Sequence, residues 1–265
     1  MADGASSTVA SKKRPVSRVV AIIGASGGIG AAIAERISQD AAVTLGYFRS
    51  EAQAAKLAQK IQSSGGQAST HQVNTTDHHS VQAFLQAVET QWGWVDSIVV
   101  ATGPTIPICP VVDVSYEMFR DIIDTEVIGS FNVVKSGVEL LRKQPVNNKS
   151  ILFVLSAALM RTLEFDGMSY IPKMAVEGLI RQTVRDIGKE GIRLNGIGTG
   201  GFDAGMGERV DLTNERVCSL LKDIKTPLGR MGSGLEIANV AAFLISDAAT
   251  YVSGQILGVD GGYSA

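Results

Sequence analysis

Val19-Val20-Ala21-Ile22-Ile23-Gly24-Ala25-Ser26-Gly27-Gly28-Ile29-Gly30 is the stretch on which the reading of the chain turns. Five apolar residues read as a buried strand, and a helical repeat starts at the far end, with Ile29, Ile33 and Ile37 spaced i, i+4, i+8. The glycines between them permit positive φ and close backbone approach, and the free N–H groups of a helix start attract a pyrophosphate. A glycine-rich turn in this position points to a dinucleotide far more specifically than the glycines alone. A tight turn with no ligand is the plain alternative.

Outward from that turn, short apolar runs alternate with segments of helical period. Candidate strands are Val19 to Ile23, Val43 to Tyr47, Ala68 to Val73, Ser97 to Ala101, Ile151 to Leu155, Ile192 to Ile197 and Gln255 to Val259. This alternation predicts an α/β sheet covered on both faces. Val81, Phe84, Leu85, Val88 and Trp92 form a helical core stripe, and a longer helical stretch runs from Ser115 to Arg142, with one face for the sheet and another for a partner subunit. Residues 18–265 read as one domain. Residues 1–17, with Lys12-Lys13-Arg14-Pro15, read as a loose tail.

Composition narrows the partners. In 265 residues, 24 Lys and Arg face 26 Asp and Glu for a net charge of −2, so no basic field gathers nucleic acid or anionic lipid. No run of 18 apolar residues spans a membrane. Two cysteines, Cys109 and Cys218, are too few for a disulfide framework and suit the cytoplasm. His71, His78 and His79 read as solvated loop residues, and no metal is expected. A small-molecule substrate remains.

After the second strand the chain reads Gly46-Tyr47-Phe48-Arg49-Ser50, with no carboxylate for ribose hydroxyls. Arg49 and Ser50 are donors suited to a 2′-phosphate, which favours NADP(H) over NAD(H). A merely exposed arginine is the alternative.

These residues, with Asp96, Gly191-Ile192-Arg193-Leu194-Asn195, Pro227-Leu228-Gly229-Arg230-Met231 and Val259-Asp260-Gly261-Gly262, resemble the classical short-chain dehydrogenase/reductase family over about residues 18 to 263. The resemblance implies a Rossmann-like, doubly wound, seven-stranded parallel sheet in a single domain, a nicotinamide cofactor, and a homodimer or homotetramer. Its implied cofactor contacts are Gly24, Ser26, Gly28, Ile29, Gly30, Arg49, Ser50, Asn74, Thr75, Ala101, Thr102, Gly103, Lys173, Thr199 and Gly200.

The family's usual catalytic set is Asn, Ser, Tyr and Lys, with Tyr four residues before Lys. By that register Lys173 takes the lysine place, Ser169 the tyrosine place, Ser156 the serine place and Glu126 the asparagine place. Val100-Ala101-Thr102-Gly103 replaces Asn-Asn-Ala-Gly, Asn74 replaces an Asp, Thr199-Gly200 replaces Pro-Gly, and Ala204 stands for a threonine. Tyr170, three before Lys173, is the alternative phenol, but i+3 and i+4 differ by about 100° around a helix axis. Pro172 is expected to restrict the helix start and place Ser169 near an N-cap.

Carbonyl reduction leaves an alkoxide that needs an acid. An iminium ion accepts hydride and becomes a neutral amine without one. Such a site calls for negative charge, and Glu126 and Glu164-Phe165-Asp166 supply carboxylates. Asp166 is the candidate partner or proton relay for a substrate nitrogen, with a solvated helix-capping carboxylate as its alternative; for Glu126 the alternative is a helix-surface residue. Arg161 is in the same loop as a partner for these acids.

The same lost tyrosine and nearby Asp resemble fungal indole-alkaloid reductase/cyclases of this fold. The implied reaction is reduction of an imine or iminium, with a coupled Diels–Alder or Pictet–Spengler closure, on an apolar nitrogen-containing substrate lined by Met160, Met168, Phe165, Phe202 and Met206. The competing readings are an ordinary carbonyl reductase with Tyr170 as acid and a catalytically silent NADPH-binding protein.

Overall fold

The computed structural model describes residues 17–202 and 226–265. The tail through residue 16, and Ala204, Met206 and Cys218, lie outside the described residues. Ser17 is described, and its hydroxyl donates to the Asp40 carbonyl at 3.3 Å.

Among the described residues, seven strands form one parallel sheet in the order β3-β2-β1-β4-β5-β6-β7. They are β1 Val19–Ile23, β2 Ala42–Tyr47, β3 Gln67–Gln72, β4 Ser97–Val100, β5 Lys149–Ser156, β6 Ile192–Thr199 and β7 Ile256–Val259. All seven match expected strands, with ends moved by up to two residues. The helices are α1 Gly28–Ile37, α2 Glu51–Ser63, α3 His78–Trp92, α4 Tyr116–Ile123, α5 Gly129–Leu141, α6 Gly167–Ile187 and α7 Gly234–Ile245.

Alternation along β1 explains the doubly wound layers. Val20 and Ile22 point into one core with Ile33 and Ile37 of α1, Leu57 of α2 and Ile237 of α7. Val19, Ala21 and Ile23 point into the other, with Phe84 of α3, Val133 of α5 and Val176 of α6. β1 is buried throughout, as a central parallel strand requires.

The stretch from Ser115 to Arg142 is one continuous helical run, as expected, with a change of winding inside it. Ser115 caps α4 by accepting from Met118 N, and residues Asp124–Ile128 form a π-helical turn before α5 begins. Such turns carry one extra residue and occur often at functional sites. Pro172 departs from expectation. It lies inside α6, whose N-cap is Asp166, so Ser169 occupies the first turn rather than the cap.

At the opposite end of the sheet from the glycine turn, two arginines cap α7. Arg18 donates to the Ile245 carbonyl at 2.5 Å and Arg193 to the Leu244 carbonyl at 2.8 Å, which matches cations to the negative end of the helix. Asp96 accepts from Val19 N at 2.6 Å and from Trp94 Nε1 at 2.9 Å, tying β1 to the start of β4. No helix among the described residues is long and apolar enough to cross a membrane.

Candidate active site

A cleft of about 1070 Å³ opens where the strand order reverses, beyond the carboxyl ends of β1 and β4. This is where open α/β sheets bind ligands. The glycine turn supplies Gly24, Ser26, Gly28, Ile29 and Gly30 to its wall, and the end of β2 supplies Arg49 and Ser50. Asn74, Thr75, Ala101, Thr102 and Gly103 follow from the ends of β3 and β4, with Lys173 and Thr199 on the far side. Gly200 is not in the wall; it packs on Asp260, whose Cα would stand 2.7 Å from an added Cβ.

The turn is shaped for close approach. Gly24 has φ +84°, and a Cβ there would lie 2.6 Å from the Ala101 carbonyl oxygen. A Cβ on Gly30 would collide with the Gly24 carbonyl. Gly24 N and Ala25 N both donate to Gly46 O, at 3.0 and 3.1 Å, fixing the turn to β2. α1 starts with no side-chain cap and no acidic residue in its first turn, which leaves its positive end to an anion. The residues present therefore fit a dinucleotide.

Several side chains set the rest of the wall. The exposed Arg49 guanidinium lies 5.0 Å from the Phe48 ring centroid. A carboxylate overlooked in the sequence, Glu51, is nearby; it accepts from the Tyr47 phenol and is not in the wall. Asn74 Oδ1 accepts from Thr76 N and Oγ1, at 3.2 and 2.9 Å. The buried Asn132 amide donates to the Thr75 carbonyl at 2.9 Å, and Gly129 leaves room for the Thr75 side chain. Thr199 Oγ1 donates to Leu155 O at 2.8 Å, joining the ends of β5 and β6.

α6 carries the reactive groups. Asp166 and Lys173 are seven residues apart, about two turns, so they share a face with Ser169 between them. Asp166 is the N-cap residue of α6 but makes no side-chain capping bond; it is half-buried and, like Ser156 and Ser169, lies outside the cleft wall. Burial pushes its carboxyl up to about 6, against the pull of Lys173 and of a hydrogen bond with Ser169. Phe165, just before it, sits in the left-handed region at φ 63°, strained for a non-glycine residue.

Glu126, in the π-helical turn, is not a surface residue. It is 6% exposed, and Oε1 accepts from the buried Lys173 Nζ at 3.1 Å. Ser156 Oγ accepts from Ala158 N at 3.1 Å, and Ser169 is buried beside Asp166. Tyr170 is half-buried and is not in the cleft wall.

Arg161 does not pair with the loop acids. It donates to the Tyr263 carbonyl at 3.0 Å and stands over the Tyr263 ring at 5.0 Å. Burial raises the Tyr263 phenol, with Asp166 and Asp260 adding to the effect and Arg161 opposing it. This residue was missed in the sequence, where only its glycine-rich approach stood out.

The expected apolar lining is dispersed as well. Phe202 is in the core beside Gly232, Met168 is buried, and Met160 packs on Gly198 of β6 and Gly258 of β7. Phe165 is half-buried. None of the four is in the cleft wall.

A family model described as enoyl-(acyl carrier protein) reductase matches residues 24–264. The chain belongs to the classical short-chain dehydrogenase/reductase family. Among curated members, a cis-4-hydroxycyclohexanecarboxylate dehydrogenase of Sinomonas cyclohexanicum is 29% identical over 256 residues, covering 94% of this chain and 97% of its own. A versicolorin reductase of Emericella nidulans is 29% identical over 255 residues, covering 92% and 95%. A solved short-chain dehydrogenase/reductase from Mycobacterium ulcerans superposes with a TM-score of 0.86 at 26% identity, covering 94% of this chain and 90% of its own. Short-chain dehydrogenases/reductases are oxidoreductases that use NAD(P)(H), and this chain is one by fold and family.

Proposed function

We propose that the protein is an NADPH-dependent reductase of a carbon–nitrogen double bond, with Asp166 facing the substrate nitrogen. The observation that carries this reading is the half-buried Asp166 carboxyl, pushed up to about 6 by burial and placed two helical turns from Lys173, which lines the cleft; Asp166 and Tyr170 both lie outside the cleft wall. Arg49 and Ser50 at the end of β2 support the 2′-phosphate form of the cofactor.

When bound, the reduced nicotinamide supplies hydride to the substrate carbon. Lys173 holds the nicotinamide ribose and Ser156 helps place the substrate. With an iminium ion, ionised Asp166 balances the positive nitrogen, and the product is a neutral amine that takes up no proton. With a neutral imine, protonated Asp166 gives its proton to the nitrogen and regains one from water. Carbonyl reduction takes up one proton at oxygen, whereas iminium reduction takes up none, and Ser169 stands where the family has its phenol. A coupled closure of Diels–Alder or Pictet–Spengler type, as in alkaloid metabolism, extends this reading and is checked by analysing products for new rings.

A second reading, a carbonyl reductase with Tyr170 as acid, draws support from relatives named as 3-oxoacyl-[acyl-carrier-protein] and versicolorin reductases. NADPH oxidation on a cyclic iminium and on the matched ketone separates the two. Asp166→Asn is expected to lower kcat on the iminium about 100-fold with NADPH affinity retained, while Tyr170→Phe leaves it unchanged. Turnover of the ketone alone, abolished by Tyr170→Phe, would overturn the proposal. NADPH binding with turnover of neither substrate would point to the silent cofactor-binding protein.

A further inference from the structure

Around Lys173 two carboxylates meet one cation. Glu126 Oε1 accepts from Lys173 Nζ at 3.1 Å, and the two side chains are 6% and 8% exposed. The same oxygen faces the backbone of Gly103, where an added Cβ would lie 3.7 Å from it. Gly103 and Lys173 both line the cleft, so the Glu126 carboxylate lies directly behind its wall, in contact with a lining residue. Along α6, Asp166 acts on the same lysine.

A lysine with one acid beside it lends that acid its full charge; a lysine shared between two lends each of them less. An amide in place of Glu126 would still accept from Lys173 Nζ but would leave its charge uncancelled. Glu126 lies in the π-helical turn, between the buried Ile122 of α4 and the buried first residues of α5.

We infer that Glu126 is a positioning residue that sets the charge of the substrate end: by holding Lys173 it leaves the site with one more negative than positive charge when Asp166 is ionised, and thereby selects a cationic nitrogen compound over its neutral carbonyl counterpart. This rests on the reading of Asp166 as the group facing substrate. The other charged groups nearby are Asp121 and Asp124 in the cleft wall, and Arg161 and Tyr263 on the far side of Asp166. All four are unchanged in the variants below.

The test compares wild type, Glu126→Gln and Glu126→Asp, each full length and loaded with NADP+. Calorimetry measures binding of 2-methyl-3,4-dihydroisoquinolinium and of its neutral counterpart, 1-tetralone. Carbon-13 carboxyl NMR follows Asp166, identified by the signal missing from Asp166→Asn. Glu126→Gln is expected to lower the Asp166 midpoint by about one pH unit and to cut the preference for the cation about tenfold, with NADP+ affinity retained. Glu126→Asp, which keeps the charge, restores both. A midpoint and preference unmoved by Glu126→Gln would overturn the inference. If Asp166 in wild type titrates at the ordinary carboxyl value while Glu126→Gln still reduces the cation preference, the reading of Asp166 fails and the charge role of Glu126 stands. Should Glu126→Gln not fold, Glu126→Asn is the second neutral variant.

Discussion

Asp166 holds its proton more tightly in the folded chain than in the unfolded one, because burial disfavours the carboxylate. Its carboxyl moves from 3.8 to about 6. Between those values the folded state keeps a proton that the unfolded state has released, so stability falls as pH rises through the window and levels off above it. The cost is at most about 3 kcal/mol. Asp166→Asn removes the titration. Thermal denaturation is therefore expected to show a higher Tm for this variant at pH 8, by about 5 °C, and no difference at pH 4. An equal change at both pH values would mean that lost packing, not charge, dominates. The stability and the proposed chemistry of this residue oppose each other, as strained functional sites commonly do.

At the scale of elements, the π-helical turn and α5 support the cofactor cleft from behind. Asn132 on α5 donates to the Thr75 carbonyl, and Gly129 leaves room for the Thr75 side chain. Asn132→Ala leaves that buried carbonyl without its partner, at about 1–3 kcal/mol. Loss of several degrees in Tm and weaker NADPH binding in a fluorescence titration are expected together; a lower Tm with unaltered binding would confine Asn132 to a structural role. The sheet was readable because parallel strands buried on both faces are short apolar runs, and β1, β4 and β5 stand out from their surroundings. β3, Gln67-Ala68-Ser69-Thr70-His71-Gln72, is a polar edge strand whose expected limits slipped by a residue, while β5 and β6 run two residues past theirs at one end, where polar Lys149 and Thr199 continue the pairing. The π-helical turn between α4 and α5 was not readable. No Pro or Gly marks Asp124–Ile128, and Glu126 within it meets a lysine on another helix. The same holds for Arg161, whose acidic neighbours in sequence suggested an ion pair and whose partner in space is Tyr263, 102 residues on. Spacing along one helix, as for Asp166, Ser169 and Lys173, is visible in a sequence; a partner across the fold is not.

For the molecule as a whole, cofactor binding acts on the stability of the entire fold. A ligand that binds only the folded state adds about 2.7 kcal/mol at a hundredfold excess over its Kd. In a chain of this size that is about 5–10 °C in Tm. Differential scanning calorimetry is expected to show this shift with NADPH and a smaller one with an equal concentration of NADH. Arg49→Ala should bring the NADPH shift down to the NADH value. Equal shifts in wild type would remove Arg49 as the phosphate contact. The π-helical turn has one more consequence, and it concerns inheritance. Deleting a single residue between Asp124 and Ile128 would rewind α4 and α5 into one regular helix and rotate everything before it by about 100°. The acid would leave the lysine although its own codon was untouched. The charge of this site is thus recorded in the length of a helix as much as in the identity of a side chain, and a lineage could gain or lose it by one insertion or deletion.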